Sequence, residues 1–240
     1  MEERNIRTAM LIGEDAVNKL KSATVAVFGL GGVGGHATEA LVRAGVGAVD
    51  IIDNDTVSES NINRQLFATY STLGRLKTDV AEERILSINP SCRVKKHTVF
   101  VTPEIINEMD FSRYDFVVDA IDTVSAKIAL AEKCEKEKVP IIASMGTGNK
   151  LDPTKFEISD IYKTSVCPLA RAMRSELKRR GVKSLTVLYS KEEPIKPTDF
   201  GEENAKKSNK PIPSSISFVP SAAGLIIAGE VIKSIINERE

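Results

Sequence analysis

Thr24-Val-Ala-Val-Phe28 is followed directly by Gly29-Leu-Gly31-Gly-Val-Gly34, and this segment indicates the fold class most clearly. The short apolar run predicts a strand buried on both faces. The glycines predict a tight turn into a helix over about 34–43, and Asp53 follows the next strand, 19 residues beyond Gly34. Because a helix amino end binds phosphate and a carboxylate here binds ribose, the segment predicts an adenine-nucleotide site, for a dinucleotide or for ATP. A tight turn without a ligand is the alternative.

The alternation of strand and helix continues through the first 150 residues. Further strands are predicted at 48–52, 93–99, 116–120 and 140–143, and helices at 73–88, from Thr102-Pro103 onward and at 124–138. Units of this kind predict an α/β fold with a mostly parallel sheet and helices on both faces.

Beyond about residue 148 the alternation stops and an elaborated C-terminal part follows. We predict a helix over 165–180, a strand over 184–189, a mobile polar loop over 192–213 and a final helix over 219–236. The whole chain, 1–240, is predicted to be one domain. Residues 1–150 form its nucleotide-binding half and 151–240 its substrate and dimer half.

Composition narrows the class further. The 240 residues carry 33 Lys and Arg against 33 Asp and Glu, which excludes a globally basic nucleic-acid coat. Three scattered cysteines, at 92, 134 and 167, indicate a reducing compartment. The charged N-terminus lacks the apolar core of a signal peptide, and the apolar stretch 215–229 is too short to span a membrane. A cytoplasmic protein without a membrane partner is expected.

Cationic residues after the second strand favour ATP over a dinucleotide. Arg64 lies in Ser60-Asn-Ile-Asn-Arg-Gln65 and Lys77 in Gly74-Arg-Leu-Lys77, whereas a nicotinamide enzyme has no need of either cation. An enzyme that cleaves ATP needs such charges on the phosphates. Asp122, after the fourth strand, could hold Mg²⁺, although it could also cap the helix at 124. Each cation alone could be a surface charge.

In this order the motifs resemble the adenylating enzymes related to ubiquitin-activating enzyme and to the activators of sulfur-carrier proteins, the ThiF-like superfamily. The resemblance covers about residues 4–150 and implies a Rossmann-like fold. It implies that Arg64, Lys77 and Asp122 are catalytic, with Asp122 holding Mg²⁺. It further implies a homodimer in which Arg7 of one subunit reaches the partner's phosphates. The implied ATP ligands are Arg7, Gly29, Gly31, Gly34, Asp53, Asp55, Asn61, Arg64, Gln65, Lys77 and Asp122.

The remaining segments resemble one branch, the tRNA threonylcarbamoyladenosine dehydratases. The matching pieces are 88–90, 100–103, 119–122, 151–154, 163–170 and 189–194. Because the two CxxC pairs of many sulfur-carrier activators are missing, no zinc is expected. The resemblance implies a ligase-type reaction on tRNA carrying threonylcarbamoyl-adenosine. ATP activates the threonine carboxylate, and a hydantoin- or oxazolone-type ring closes with loss of water. The general base, AMP or ADP as product, a bound monovalent cation and a sulfur-transfer protein stay open.

Other functions remain as alternatives. An adenylating activator of a small ubiquitin-like or sulfur-carrier protein would show pyrophosphate exchange that depends on a Gly-Gly tail. An NAD-dependent oxidoreductase suits Gly31 and Asp53 but leaves Arg64 and Lys77 without a role. A nucleotide-sensing module without turnover would not need the same cations together.

Further residues are candidates for contacts with tRNA or substrate. Arg171, Arg174 and Lys178 share a helix face that could bind tRNA phosphates or simply be solvated. Lys206, Lys207 and Lys210 are weaker candidates, and Lys127 is one for the substrate. Cys167 precedes a helix that could activate its thiol, but the alternative is a packing role.

Overall fold

A computed structural model describes residues 2–198 and 213–237, and its core is a twisted sheet. The strands are β1 Thr24–Phe28, β2 Ala48–Ile52, β3 Arg93–His97, β4 Phe116–Asp119, β5 Ile141–Ser144, β6 Phe156–Asp160 and β7 Thr186–Ser190. In this part of the chain they form one seven-stranded sheet in the order β3-β2-β1-β4-β5-β7-β6. All neighbours are parallel except β6, which is antiparallel to β7. The prediction of a mostly parallel sheet is confirmed.

Helices cover both faces of the sheet, as predicted. They are α1 Ile6–Ile12, α2 Glu14–Ser22, α3 Gly34–Ala44, α4 Lys77–Ile88, α5 Pro103–Glu108, α6 Val124–Glu137, α7 Pro168–Arg180 and α8 Phe218–Asn237. Buried residues of α2, α3, α4 and α8 form the core on one face. The other face is packed by α5 and α6, and by α6 and α7 towards β7. The expected α/β fold is therefore present.

The strand order creates the crevice in which a ligand can bind. β1 lies between β2 and β4, with Phe28 in register with Ile52 on one side and with Asp119 on the other. The chain thus leaves β1 and β4 in opposite directions along the sheet, and a gap opens at their carboxyl ends. The glycine loop follows β1 at this gap.

The segment between β2 and α4 is longer and more ordered than predicted. Val57 N donates to Arg75 O at 2.8 Å and Gly74 N donates to Val57 O at 2.9 Å, so the two ends of the excursion pair. Leu76 is still extended, with ψ 134°. α4 therefore begins at Lys77 and not at residue 73, because the preceding residues are used for this pairing.

β3 is an edge strand of the sheet, and several of its side chains are positively charged. Arg93, Lys95 and Lys96 are exposed along it. Lys96 Nζ contacts Asp79 Oδ1 at 2.9 Å and Glu82 Oε2 at 2.7 Å, both on α4. The other two cations lie on the opposite face of the strand.

Asp50, on β2, is buried beside β3 and is held by three donors. Arg113 lies 2.6 Å from its carboxylate, and His97 Nε2 and Tyr114 OH each lie 2.9 Å from Oδ2. Burial by itself raises the pKa of Asp50, but the hydrogen bonds from His97 and Tyr114 and the charge of Arg113 bring it below the ordinary value. The network ties β2 and β3 to the segment before β4.

The last helix, α8, is long and apolar enough by length and composition to span a membrane. Part of this helix packs closely along α3. A Cβ at Gly224 would lie 2.4 Å from Val33 O, so glycine permits the two backbones to approach. Ala223, Ile227 and Val231 are buried in the core on the same side. α8 is thus a core element of this fold.

Candidate functional site

A cleft of about 670 Å³ lies at the carboxyl ends of the parallel strands. Its walls come from the loops after β1, β3, β4 and β5, together with the excursion between β2 and α4. The predicted site residues that line it are Gly29, Gly31, Asp53, Asp55, Asn61, Arg64, Gln65, Lys77 and Asp122. Gly34 and Arg7 do not line the cleft of their own chain.

Three glycines of the loop have different physical reasons to be glycine. Gly29 has φ +90°, and a Cβ there would lie 2.7 Å from Ala120 O. At Gly31 the space is open towards the cleft, with only Gln65 Nε2 within 4 Å, at 3.9 Å. A Cβ at Gly34 would lie 1.8 Å from Gly29 O, so this glycine lets α3 pack on the loop. Gly31 is therefore the position where a side chain would enter the cleft.

Asp53 fixes the glycine loop relative to β2. Its Oδ2 accepts a hydrogen bond from Leu30 N at 2.7 Å, and its Oδ1 accepts one from Asp55 N at 2.8 Å. Each carboxylate oxygen has a further lone pair, so the group can still bind a ribose hydroxyl.

Lys77 presents a fixed positive charge to the cleft. Its Nζ lies 2.7 Å from Asp55 Oδ2, and its side chain is 6% exposed whereas that of Asp55 is 60% exposed. Lys77 N also donates to Asp55 O at 2.9 Å. The lysine thus cannot turn away, while the aspartate can reach solvent.

The Ser60–Gln65 motif forms a compact turn that directs its polar side chains. Asn61 Oδ1 accepts from Ser58 N at 3.2 Å and closes a short helical turn. Arg64 donates to Ser60 O at 2.9 Å and to Asn63 Oδ1 at 2.8 Å. The guanidinium is therefore held beside the cleft, with donors left over for a ligand.

Asp122 is exposed at the end of the loop after β4 and is not the cap of the next helix. The residue before α6 is Thr123, and it makes no side-chain cap hydrogen bond. The alternative role of Asp122 as a helix cap is therefore not observed. Among the described residues, no group of three or more His, Cys, Asp or Glu side chains is placed to hold a metal ion by itself.

A buried ion pair supports this loop from below and corrects one prediction. Lys127 is fully buried, with its Nζ 2.9 Å from Asp119 Oδ1, so its predicted contact with substrate is wrong. Lys127 donates to Ile121 O and Asp119 accepts from Ile121 N, both at 3.3 Å. Burial raises the pKa of Asp119, and the Lys127 ammonium acts in the opposite direction. Together they fix the residue next to Asp122.

Sequence reasoning missed part of the cleft. Phe100 and Val101 line one side, and Phe100 is 59% exposed. Residues 144–148, from the end of β5 onward, and residues 213–215 form another wall. The sequence signal for the wall at Phe100 is an aromatic residue in a loop at the carboxyl edge of the sheet. The signal for the wall at residues 144–148 is a Gly-x-Gly pair after a strand. Neither signal is specific.

The basic side chains of helix α7 differ in their contacts: some are exposed to solvent and one binds a neighbouring loop. Arg171 and Lys178 are exposed. Arg174 donates to Thr164 O at 3.0 Å and also to the Thr164 hydroxyl, so it anchors the loop before the helix. Of the three candidates for tRNA, the structure leaves two presented to solvent. Lys206, Lys207 and Lys210 lie outside the described residues, as does most of the predicted loop 192–213.

The three cysteines are unpaired and buried. Cys167, which is 2% exposed, precedes α7 and makes no side-chain cap hydrogen bond. Burial raises the pKa of the Cys92 thiol to about 11 and also raises that of Cys134. These placements favour the packing alternative.

Fold and cleft together define a class: a nucleotide-binding α/β protein in which two cations and the exposed carboxylate of Asp122 line one cleft beside a glycine loop. The model of the ThiF family matches residues 2–240, and the chain belongs to this family. It is 42% identical over 242 residues to the tRNA threonylcarbamoyladenosine dehydratase of Bacillus subtilis, covering 98% of this chain and 95% of that protein. The resemblance inferred from the motifs is confirmed.

Solved structures of tRNA threonylcarbamoyladenosine dehydratase are similar in fold to this chain. Escherichia coli tRNA N6-threonylcarbamoyladenosine dehydratase, TcdA, in complex with ATP superposes with a TM-score of 0.88 at 33% identity, covering 98% of this chain and 95% of that one. The same enzyme in complex with AMP gives a TM-score of 0.87 at 34% identity, covering 97% and 93%. The Rossmann-like fold that the resemblance implies is therefore confirmed.

Proposed function

We propose that this chain catalyses the ATP-dependent cyclising dehydration of threonylcarbamoyl-adenosine in tRNA. The observation that carries the proposal is the convergence of Arg64, Lys77 and Asp122 in one cleft at the carboxyl edge of the sheet. The near full-length similarity to dehydratases of this name supports the choice of substrate.

The cleft suggests how ATP lies. The phosphates meet the open space at Gly31 and the amino end of α3, whose backbone N–H groups favour an anion. Asp53 accepts from the ribose. Phe100 and Val101 provide an apolar side for the adenine ring. This placement directs the phosphates towards Arg64 and Lys77.

The first chemical step makes the threonine carboxylate reactive. A carboxylate oxygen attacks the α-phosphorus, the bond to the bridging oxygen breaks, and pyrophosphate leaves with its electron pair. Arg64 and Lys77 stabilise the charge that develops on the phosphate oxygens. The AMP complex of the E. coli enzyme supports an adenylate over an acyl phosphate.

Mg²⁺ fits the carboxylate that is present. Asp122 is exposed, lines the cleft and has no capping role. Mg²⁺ bound to phosphates uses one or two carboxylates and several waters, so a single aspartate suffices. When bound, the ion supplies positive charge to the phosphates. Asp119 and Lys127 hold the loop from which Asp122 would bind it.

Ring closure follows without an enzyme nucleophile. An oxygen or nitrogen of the neighbouring carbamoyl group attacks the activated carbon, AMP leaves, and a carbamoyl proton is lost, so the net change is loss of water. The attack is intramolecular, which gives it a large effective concentration. Because the cysteines are buried, we propose no sulfur-transfer step.

A homodimer would complete the site. Arg7 is exposed on α1 and does not line its own cleft. Met10 and Leu11 on the same helix are 82% and 85% exposed, as expected if a second copy covers them. In such a dimer Arg7 would reach the partner's phosphates.

The cytoplasm, where tRNA is modified, is the compartment that suits this function.

The decisive experiment is turnover with ATP and Mg²⁺ on two tRNA pools, with and without threonylcarbamoyl-adenosine. We expect nucleoside mass spectrometry to show loss of one water in the modified pool alone, with release of AMP. Pyrophosphate exchange that depends on a carrier ending in Gly-Gly, without any change in tRNA, would contradict the proposal and favour the carrier-activating alternative.

A further inference from the structure

Asn149 makes an unusual set of contacts just outside the cleft. It follows the cleft-lining Gly148 and has a left-handed backbone, with φ 59°. Asn149 N donates to Ser214 O at 2.8 Å, and Ile195 N donates to Asn149 O at 2.8 Å. Its side-chain Oδ1 accepts from both Ser214 N and Ser214 Oγ, each at 2.8 Å. One residue thus binds the chain at 195 and again at 214.

The wall formed by residues 213–215 rests directly on this loop. A Cβ at Gly148 would lie 2.9 Å from Pro213 Cβ and 3.1 Å from Ser214 O, closer than side chains normally pack. Residues 213–215 also line the cleft. The position of the cleft wall therefore depends on the loop that contains Asn149.

The hydrogen bonds continue from the wall to the predicted catalytic arginine. Asn63 Nδ2 donates to Ser215 O at 3.1 Å, and Arg64 donates to Asn63 Oδ1 at 2.8 Å. Asn149, Ser214, Ser215, Asn63 and Arg64 are thus joined through hydrogen bonds and one peptide link. A shift of the wall would be transmitted to the guanidinium.

We propose that Asn149 is a positioning residue that holds the 213–215 wall and, through Asn63, aims Arg64 at the transferring phosphate. The inference rests on the proposed function, because it assigns Arg64 to the activation step. Asparagine suits the position because it tolerates the left-handed backbone and its amide oxygen accepts both bonds from Ser214. Misplacing a catalytic group slows turnover more than it weakens ground-state binding.

Two substitutions distinguish the role of the backbone conformation at residue 149 from the role of its side-chain acceptor. Asn149→Gly keeps the left-handed backbone but removes the acceptor, and we expect kcat to fall about tenfold with little change in the KM for ATP. Asn149→Asp keeps an oxygen acceptor in place and should restore most of kcat. Lys138→Gly is the matched control, because Lys138 is also left-handed, at φ 58°, but ends α6 away from the cleft.

A double-mutant cycle tests the path to Arg64. Asn63→Ala breaks the same route at another point, so the combined Asn63→Ala and Asn149→Gly variant should be no slower than about the slower single variant. Losses that multiply would mean that the two residues act independently and would overturn the proposal. If Asn149→Gly does not fold, Ser214→Ala removes the hydroxyl bond alone and should lower kcat in the same direction.

The outcomes distinguish the two proposals. A wild-type chain that does not dehydrate modified tRNA contradicts the proposed function. An active wild type with an equally fast, folded Asn149→Gly variant contradicts the positioning role alone. If Asn149→Asp or the Lys138→Gly control lost as much of kcat as Asn149→Gly, the positioning role would also be overturned, because both variants keep an acceptor oxygen at residue 149.

Discussion

Lys77 Nζ lies 2.7 Å from Asp55 Oδ2, and the two partners differ in burial: the lysine side chain is 6% exposed and the aspartate 60%. The ammonium is held at the cleft, whereas the exposed carboxylate can turn to solvent. If ATP binds as proposed, a phosphate could replace Asp55 as the partner of a lysine that is already oriented.

Lys77→Ala should lower kcat by about 100-fold or more, since it removes a charge needed most in the transition state. ATP affinity, measured by titration, should fall much less, and Arg64→Ala should behave alike. Lys233→Ala, which removes an exposed lysine on α8 outside the cleft, is the matched control and should leave both ATP affinity and kcat unchanged. Equal losses in binding and kcat for Lys77→Ala would instead indicate ground-state binding.

Asp122→Asn should abolish turnover at every Mg²⁺ concentration, because Asp122 is the carboxylate of the cleft that we propose for the ion. Binding of ATP without Mg²⁺ should be unchanged, which a titration in chelator checks. The control is Glu108→Gln, an exposed carboxylate outside the cleft. Full activity of Asp122→Asn would exclude this residue as the ligand.

Gly31→Ala and Gly34→Ala should fail in different ways. The Cβ at residue 31 enters open cleft space, so the variant should fold with an unchanged melting temperature but bind ATP weakly. The Cβ at residue 34 would lie 1.8 Å from Gly29 O, so that variant should lose stability. Thermal unfolding with and without ATP measures both effects, and a stable Gly34→Ala variant would contradict the packing role.

Asp50 should make stability depend on acid pH. Its pKa is lowered in the folded state, so its contribution is complete above the unfolded value, about 3.9, and is lost as pH falls through the folded value. Asp50→Asn should cost about 2 kcal/mol at neutral pH, because a buried acceptor of three hydrogen bonds loses its charge. Denaturant unfolding from pH 7 downward should show the wild type approaching the variant only in acid.

Cys167→Ser should retain activity within about threefold, because the thiol is buried and the proposed chemistry needs no thiolate. The assay is dehydration of modified tRNA, with melting temperature as the check on folding. A folded but inactive variant would show that the thiol takes part in the reaction.

The part of the site that is built from contiguous residues could be predicted from the sequence. The glycine loop, Asp53 and the Ser60–Gln65 turn are contiguous stretches whose geometry follows from near neighbours. The walls at Phe100, Ser144–Gly148 and 213–215 could not be predicted in this way, because long-range packing brings them together. They carry no residue type that chemistry would single out.

Local patterns say less about residues whose place depends on packing. A Cβ at Gly34 would lie 1.8 Å from Gly29 O, so packing alone requires glycine there, and its contact with ATP stays a prediction. Lys127 is a candidate for the substrate by sequence, since it lies near the start of a helix beside the site. Its burial against Asp119 depends on tertiary packing, and Ala126 and Ile128 beside it are buried as well. β6 was missed because it is a short, half-exposed edge strand.

The charged edge strand β3 has a consequence for how copies of this protein meet. If two sheets joined edge to edge through β3, Arg93, Lys95 and Lys96 of each copy would face the same cations of the other. Such like-charge contact opposes the pairing of two copies through this edge. The β3 edge is thereby shielded from the strand addition that seeds aggregation in concentrated protein, whereas the opposite edge, β6, carries no comparable run of cations.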